Sequence, residues 1–375
     1  MKIRVFDGGK GDCLLLSSDN DDHILVDGDL VSTFGHDSYS ANVADRLNKL
    51  RKLGHELVSH NRRAIADAIA ASQVGQIALS AEIGPGPLDE FMDTLATSMN
   101  EAVQVSRLIG DNQLAIPLNG TFDKKLVMER PESKDMVRGA FRVSVLGPTE
   151  KQLIALRKEW QQWLGSDLGR RHIDSVRREA ARHEDLLGNG ELVQFIATAL
   201  GPAIGDRTTV TEANVASIIM LVEEGGQNIL LTGDARDDHV HEALEKSGRT
   251  DADGHIHLNV LKLQHHASKN NFSEDFAKKV TADHYLLYGN GGHHNPHKEV
   301  VKRLIDSRIG PASKRSPNPQ VGDRFKLWFS ADSGSEDANA DHMRELEDLV
   351  EERAAASGGQ MKFRFNRNRS FEFVP

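Results

Sequence analysis

Three short stretches hold the residues best suited to chemistry. LNVLKLQHHASKN at 258–270 ends a strand-like run on adjacent histidines, His265 and His266. GNGGHHNPH at 289–297 follows the run YLL with His293, His294 and His297. NILLTGD at 228–234 ends on Asp234. An acidic residue straight after a buried strand emerges at the carboxyl end of a sheet, where α/β-type sheets put their sites. The plainer alternative is that Asp234 caps a helix starting at Ala235. The histidines have plain readings too, as a surface pair on a loop and as rings stacked near a helix terminus. Their order is more informative. Imidazole and carboxylate at three successive strand ends are the ligands that zinc or another borderline metal takes. On an extended segment neighbouring side chains point oppositely, so one of His265 and His266 is expected to enter the site. The other supports it or contacts substrate. Asp27, in HILVDGD, stands at the matching point of an earlier strand. It is either a turn aspartate or the residue that orients a ligand histidine from behind.

The elements around these residues follow from pattern. IRVF (3–6), CLLLSS (13–18) and HILVDG (23–28) read as strands separated by the turn-forming clusters GGKGD and DNDD. A helix is expected at about 41–53. VASIIMLV (215–222) and NILLTGD flank the turn EEGG and lead to a helix at about 236–247, with Val240, Ala243 and Leu244 on one face and Gly248 after it. The strand LNVLKL follows. Both halves of the chain thus run strand, turn, strand, aspartate-containing loop, helix and glycine. FRVSVLGP (141–148) reads as a strand, and 88–110 and 150–200 as helical. Asn295-Pro296 is expected to open a helix, with proline in its first turn. A long loop at 310–323 precedes the strand FKLWFS, a helix at about 339–354 and two closing strands.

Composition narrows the function classes. The chain has 375 residues and a net charge of -10. A uniformly acidic protein does not draw DNA or an anionic membrane through its overall field, though a local basic cleft still can. The apolar run VASIIMLV is far too short to span a bilayer. MKIRVFDGGKGDC lacks the apolar centre of a secretory signal. A cytoplasmic location without membrane attachment is the resulting expectation. The one cysteine, Cys13, sits in an apolar run and reads as a buried structural thiol. GGKGD lies between two strands and reads as a hairpin turn, not as a phosphate loop.

Taken together, the motifs resemble a known family. FDGGKGDCLLL with HILVDGD resembles the opening of metallo-β-lactamase-fold hydrolases of the ComEC type. NILLTGDA, LKLQHHASKN and GGHHNPHKEV resemble later motifs of that branch in the same order. The likeness covers residues 1–54 and about 141–308. It implies an α+β fold, a four-layer αββα sandwich of two pseudo-symmetric halves, over residues 1–308. A helical excursion is expected at about 150–200, and 309–375 as a strand-helix-strand extension packed on that body. Such proteins usually bind two metal ions, and a metal-bound hydroxide attacks a phosphodiester or acyl centre. Carried over, Asp234 resembles the aspartate that bridges the metals, and His293 and His297 resemble the late histidines. The implied metal ligands are Asp234, His265, His293 and His297, with Asp234 and His265 catalytic. His266 and Lys269 are the implied substrate contacts, with Asp27 behind the ligands.

One departure is large. The family's main cluster, of the Ser-His-x-Asp-x-Asp-His type, should follow the first helix. There this chain reads LVSHNRRAIADA. Ser59-His60 matches its start, no Asp-His follows, and Arg62 and Arg63 stand near the acidic positions. The expectation is at most one zinc or manganese ion. Hydrolysis of a small-molecule or nucleic-acid phosphodiester should be weakened or lost. The alternative is a non-catalytic binding or regulatory protein on the same fold, with Arg62 and Arg63 holding an anionic ligand.

Overall fold

Apolar runs broken by polar turns give three strands in the first 26 residues of the computed structural model. It describes residues 1–7, 12–26, 127–130, 135–155, 216–335 and 338–375. The strands are β1 (Lys2–Phe6), β2 (Leu14–Ser17) and β3 (His23–Val26). Next come β4 (Met136–Arg138), β5 (Phe141–Gly147), β6 (Ile219–Glu224) and β7 (Gln227–Leu231). Helix α1 (Asp237–Lys246) leads to β8 (Ile256–Lys262), α2 (Glu274–Lys279) and β9 (Val280–Leu287). The chain closes with α3 (Lys298–Ile309), β10 (Phe325–Phe329), α4 (Ala340–Ala356), β11 (Met361–Phe365) and β12 (Ser370–Phe373).

These strands form two sheets. The smaller has the order β12-β1-β2-β3, with every pair antiparallel. The larger has the order β11-β10-β9-β8-β7-β6-β5-β4. Its strands run parallel from β7 to β11 and antiparallel from β4 to β7. Residues 309–375, expected as an extension, contribute β10 and β11 to the large sheet and β12 to the small one. The strands expected in the interior occur close to their expected bounds. However, β3 is half-buried throughout and ends the small sheet among the described residues. The helix at 41–53, the helix at 88–110 and most of the 150–200 segment lie outside the described residues.

The chain divides into two units. One comprises Met1–Asp45, Met128–Thr149 and Thr209–Pro375, and holds both sheets. The other, Arg46–Val127 with Glu150–Thr208, lies almost wholly outside the described residues.

Period-two burial separates the two faces of the large sheet. On β10, Phe325, Leu327 and Phe329 join a core with Val240, Leu244, Phe276, Leu304, Leu346 and Val350 of the helices. Trp328 points the other way and stacks on Phe373 of the small sheet at 4.3 Å between centroids. His284 of β9 lies beside this stack, 5.3 Å from Phe373, and accepts a hydrogen bond from Trp328 Nε1 at 3.1 Å. Tyr288 adds a second tie by donating to the carbonyl of Cys13 at 3.0 Å.

His284 gives a pH dependence of known sign. Burial, reinforced by Lys326, pushes its pKa down to about 4, against the opposing pull of Asp283. The unfolded chain therefore takes up this proton near pH 6.5 and the native chain only near 4. The contribution is complete above about pH 6.5 and is lost as pH falls toward 4. By about pH 5 the loss should be on the order of 2 kcal/mol. Urea unfolding of the wild type and His284→Gln at neutral pH and at about pH 5 tests this. Equal acid sensitivity of the two proteins would rule the account out.

The helix expected at Asn295-Pro296 starts later, at Lys298, with His297 as its N-cap. A residue before proline is pushed out of the helical region, and Asn295 is extended at φ -88, ψ 135. The Pro296 carbonyl is already engaged by His342 Nε2 at 3.0 Å.

Candidate functional site

In a parallel array the strand carboxyl ends share one edge, so the loops after β7, β8 and β9 meet there. After β7 the chain turns through Thr232-Gly233-Asp234. Gly233 has φ +52, and a Cβ on it would sit 2.9 Å from that of Ser217. Only glycine fits this turn. The Ser217 hydroxyl accepts the Asp234 amide at 3.1 Å. Asp234 is not a helix cap, because α1 begins at Asp237 with Arg236 in the cap position. The plainer reading of Asp234 is thereby removed.

The paired histidines are not on extended backbone. Residues Gln264–Ala267 form a tight turn in which His265, His266 and Ala267 all have positive φ, at 46°, 53° and 60°. Three consecutive non-glycine residues in the left-handed region cost about 1–2 kcal/mol each. Such strain persists only where surrounding structure over-determines it. The expectation that the two rings point oppositely is corrected by this turn. Their centroids lie 6.0 Å apart, edge to face, and the charge of Asp234 acts on both. The His265 amide donates to Gly233 O at 3.0 Å, which fastens the β8 turn to the β7 turn.

Each ring has its own support. Asn271 is fully buried, and its Nδ2 donates to the carbonyls of Asp234 and Ala235 at 3.0 and 3.2 Å. Carbonyls only accept, so the amide orientation is decided and Oδ1 must accept from His265 Nδ1 at 3.1 Å. Burial holds the pKa of His265 below the ordinary value despite the nearby Asp234 carboxylate. The neutral ring with Nδ1 protonated carries its lone pair on Nε2. Asn271→Ala should therefore lower stability by about 2–3 kcal/mol, since it strands one donor and two acceptors. Thermal unfolding measures the loss, and a change below a few tenths of a kcal/mol would contradict this role.

His266 is bound differently. Its Nδ1 lies 2.9 Å from Oδ1 of Asp12, which is 254 residues away in sequence. The other oxygen of Asp12 pairs with the ammonium of Lys262. Lys262 is 2% exposed and Asp12 4%. Lys262 Nζ also reaches Gly233 O at 3.3 Å. Burial alone would raise the pKa of Asp12, but Lys262 and His266 outweigh it and hold the carboxyl below its usual range. Burial disfavours the charged form of His266, yet Asp12 and then Asp234 outweigh it, and the ring is raised.

The late histidines join through the backbone. The amide of His297 donates to Ala267 O at 3.1 Å, and its Nδ1 lies 2.7 Å from Asn295 Oδ1. Burial lowers the pKa of His297, and Lys269 beside it lowers it further. His293 and His294 are exposed in a left-handed turn after Gly291, and the His294 ring meets His342 edge to face at 5.3 Å. Asp234, His265 and His266 thus lie together with Lys262 and Asp12. His297 lies near Lys269 and His294 of the adjoining loops and His342 of α4.

Asp234 and the two imidazoles are donor types that zinc takes. Their arrangement does not close on an ion: among the described residues, no group of three or more His, Cys, Asp or Glu side chains could hold a metal. Asp27, expected behind the ligands, and Ser59, His60, Arg62 and Arg63 lie outside the described residues. Reading the sequence missed Asp12, Lys262 and Asn271. A signal existed for Lys262: a lysine within the buried run LKL must find an anion.

Among the described residues, no helix is long and apolar enough to cross a membrane. No family model matches the chain. Over 96 residues the chain is 30% identical to ComE operon protein 3 of Bacillus subtilis (strain 168), a stretch covering 24% of this chain. That stretch spans 11% of the length of ComE operon protein 3.

Proposed function

We propose that this chain is a metallo-β-lactamase-fold protein of the ComEC type, an αββα sandwich of two pseudo-symmetric halves, with weakened or lost phosphodiester hydrolysis. The convergence of Asp234, His265 and His266 at the carboxyl ends of β7 and β8 carries the reading. The short similarity to ComE operon protein 3 supports the family. At most one zinc or manganese ion is expected: Asp234, His265, His293 and His297 are the candidate donors, and an ion there would need further ligands from outside the described residues. Such an ion, when bound, supplies Lewis acidity. His266 and Lys269 would face a phosphoryl oxygen of a small-molecule or nucleic-acid phosphodiester.

A second reading is a non-catalytic binding or regulatory protein on the same fold. Its specific support is the buried ammonium of Lys262 against Gly233 O, because a fixed cation beside Asp234 opposes a metal ion there. One experiment separates the two. Protein purified without chelator is assayed for metal content and for hydrolysis of bis-p-nitrophenyl phosphate with added zinc or manganese. One ion with slow turnover favours the first reading, and no ion with no turnover the second. Two ions per chain with fast turnover would refute both.

A further inference from the structure

We propose that Asp12 and Lys262 form a positioning pair that orients His266 and the Asp234 turn from one buried ion pair. Asp12 lies just before β2 of the small sheet, whereas Lys262 ends β8 of the large sheet. The two oxygens of Asp12 are divided between Lys262 Nζ and His266 Nδ1. A carboxylate only accepts, so Nδ1 carries the proton, and Nε2 is the nitrogen left to face the site. Lys262 spends a second donor on Gly233 O, the carbonyl immediately before Asp234. That same carbonyl accepts the His265 amide. Two site residues from different strands are therefore referred to one ion pair, and half of that pair comes from the other sheet. Neither Asp12 nor Lys262 is placed to touch substrate, because both are buried under the histidine turn. This inference rests on the reading of His266 as a residue facing a phosphoryl group.

The test must separate orientation from charge balance, since removing one buried charge endangers folding. Two charge-neutral double variants do so. Asp12→Asn with Lys262→Met keeps an acceptor for His266 Nδ1. Asp12→Leu with Lys262→Met removes it. Nitrogen-15 NMR of the imidazoles at alkaline pH reads the tautomer of His266. The proton is expected on Nδ1 in the wild type and the asparagine double, and on Nε2 in the leucine double. An unchanged tautomer in the leucine double overturns the proposal even if that variant is less stable. The second readout is binding of inorganic phosphate, followed by the shifts of the His266 ring. Read at a pH low enough to protonate the ring, where Nε2–H can donate to phosphate, binding should be about 10- to 100-fold weaker in the leucine double than in the asparagine double, because only the asparagine still holds Nδ1–H. Equal affinities in the two doubles also overturn the proposal. Absence of any phosphate shift in the wild type defeats the reading of His266 as a substrate contact, while the tautomer comparison still decides the role of Asp12.

Discussion

Asp12→Ala is expected to cost about 3–5 kcal/mol of folding stability. The substitution removes few apolar contacts, so packing is not the source. The source is Lys262, whose side chain is 3% exposed and whose ammonium pairs with Asp12. Without the carboxylate, that ammonium keeps, among the described residues, only the Gly233 carbonyl at 3.3 Å. A buried cation left without its counter-charge either loses its proton or draws in water, and both outcomes cost free energy. His266 loses the partner of its Nδ1 at the same time. The intact pair is not expected to be a large net gain over an apolar one, because desolvating both ions offsets most of their attraction. Asp12→Leu with Lys262→Met should therefore recover most of the loss. Urea unfolding of the wild type, the single variant and the double variant measures both statements. A single variant within about 1 kcal/mol of the wild type would show that the pair does not carry the charge balance described here.

The second large effect concerns Asp234. Asp234→Ala removes the carboxylate whose charge acts on both His265 and His266. The backbone turn should survive, because it is held by the Asp234 amide on Ser217 Oγ and by Asn271 on the Asp234 carbonyl. Stability should change by less than about 1 kcal/mol. Metal content should fall from at most one ion per chain to none. Any hydrolysis of bis-p-nitrophenyl phosphate should fall to the rate without protein. The contrary result is a wild type with two ions per chain and fast turnover that a chelator abolishes. Ligands outside the described residues, His55, Glu56 or His60, would then complete the cluster.

Among the described residues, the sequence alone located most of the strands and the hairpin turn between β6 and β7. EEGG between two apolar runs requires a hairpin, and β6 and β7 pair across it. Val240, Ala243 and Leu244, spaced for one helical face, are the buried residues of α1. Asp234 and His265 were legible as strand-end residues, because a carboxylate or imidazole following a buried run has to emerge at the edge of a sheet. Local pattern also misled where backbone conformation was imposed from outside. His265 and His266 read as an extended pair with opposite faces. The bonds from His265 N to Gly233 O and from His297 N to Ala267 O instead hold them in a left-handed turn.

Only the tertiary structure decided the partners. Nothing near GGKGD marks Asp12 as buried, and on pattern alone it is a turn aspartate. Its partners are Lys262, at the end of β8 in the large sheet, and His266, in the turn after it, and both depend on contacts between elements far apart in the chain. Asn271 is likewise one of two adjacent asparagines in a polar stretch until the Asp234 and Ala235 carbonyls turn toward it. The physical reason is that periodicity reports burial along a single element. A buried charge is tolerated only through a specific partner, and which partner stands opposite is set by packing between elements far apart in the chain.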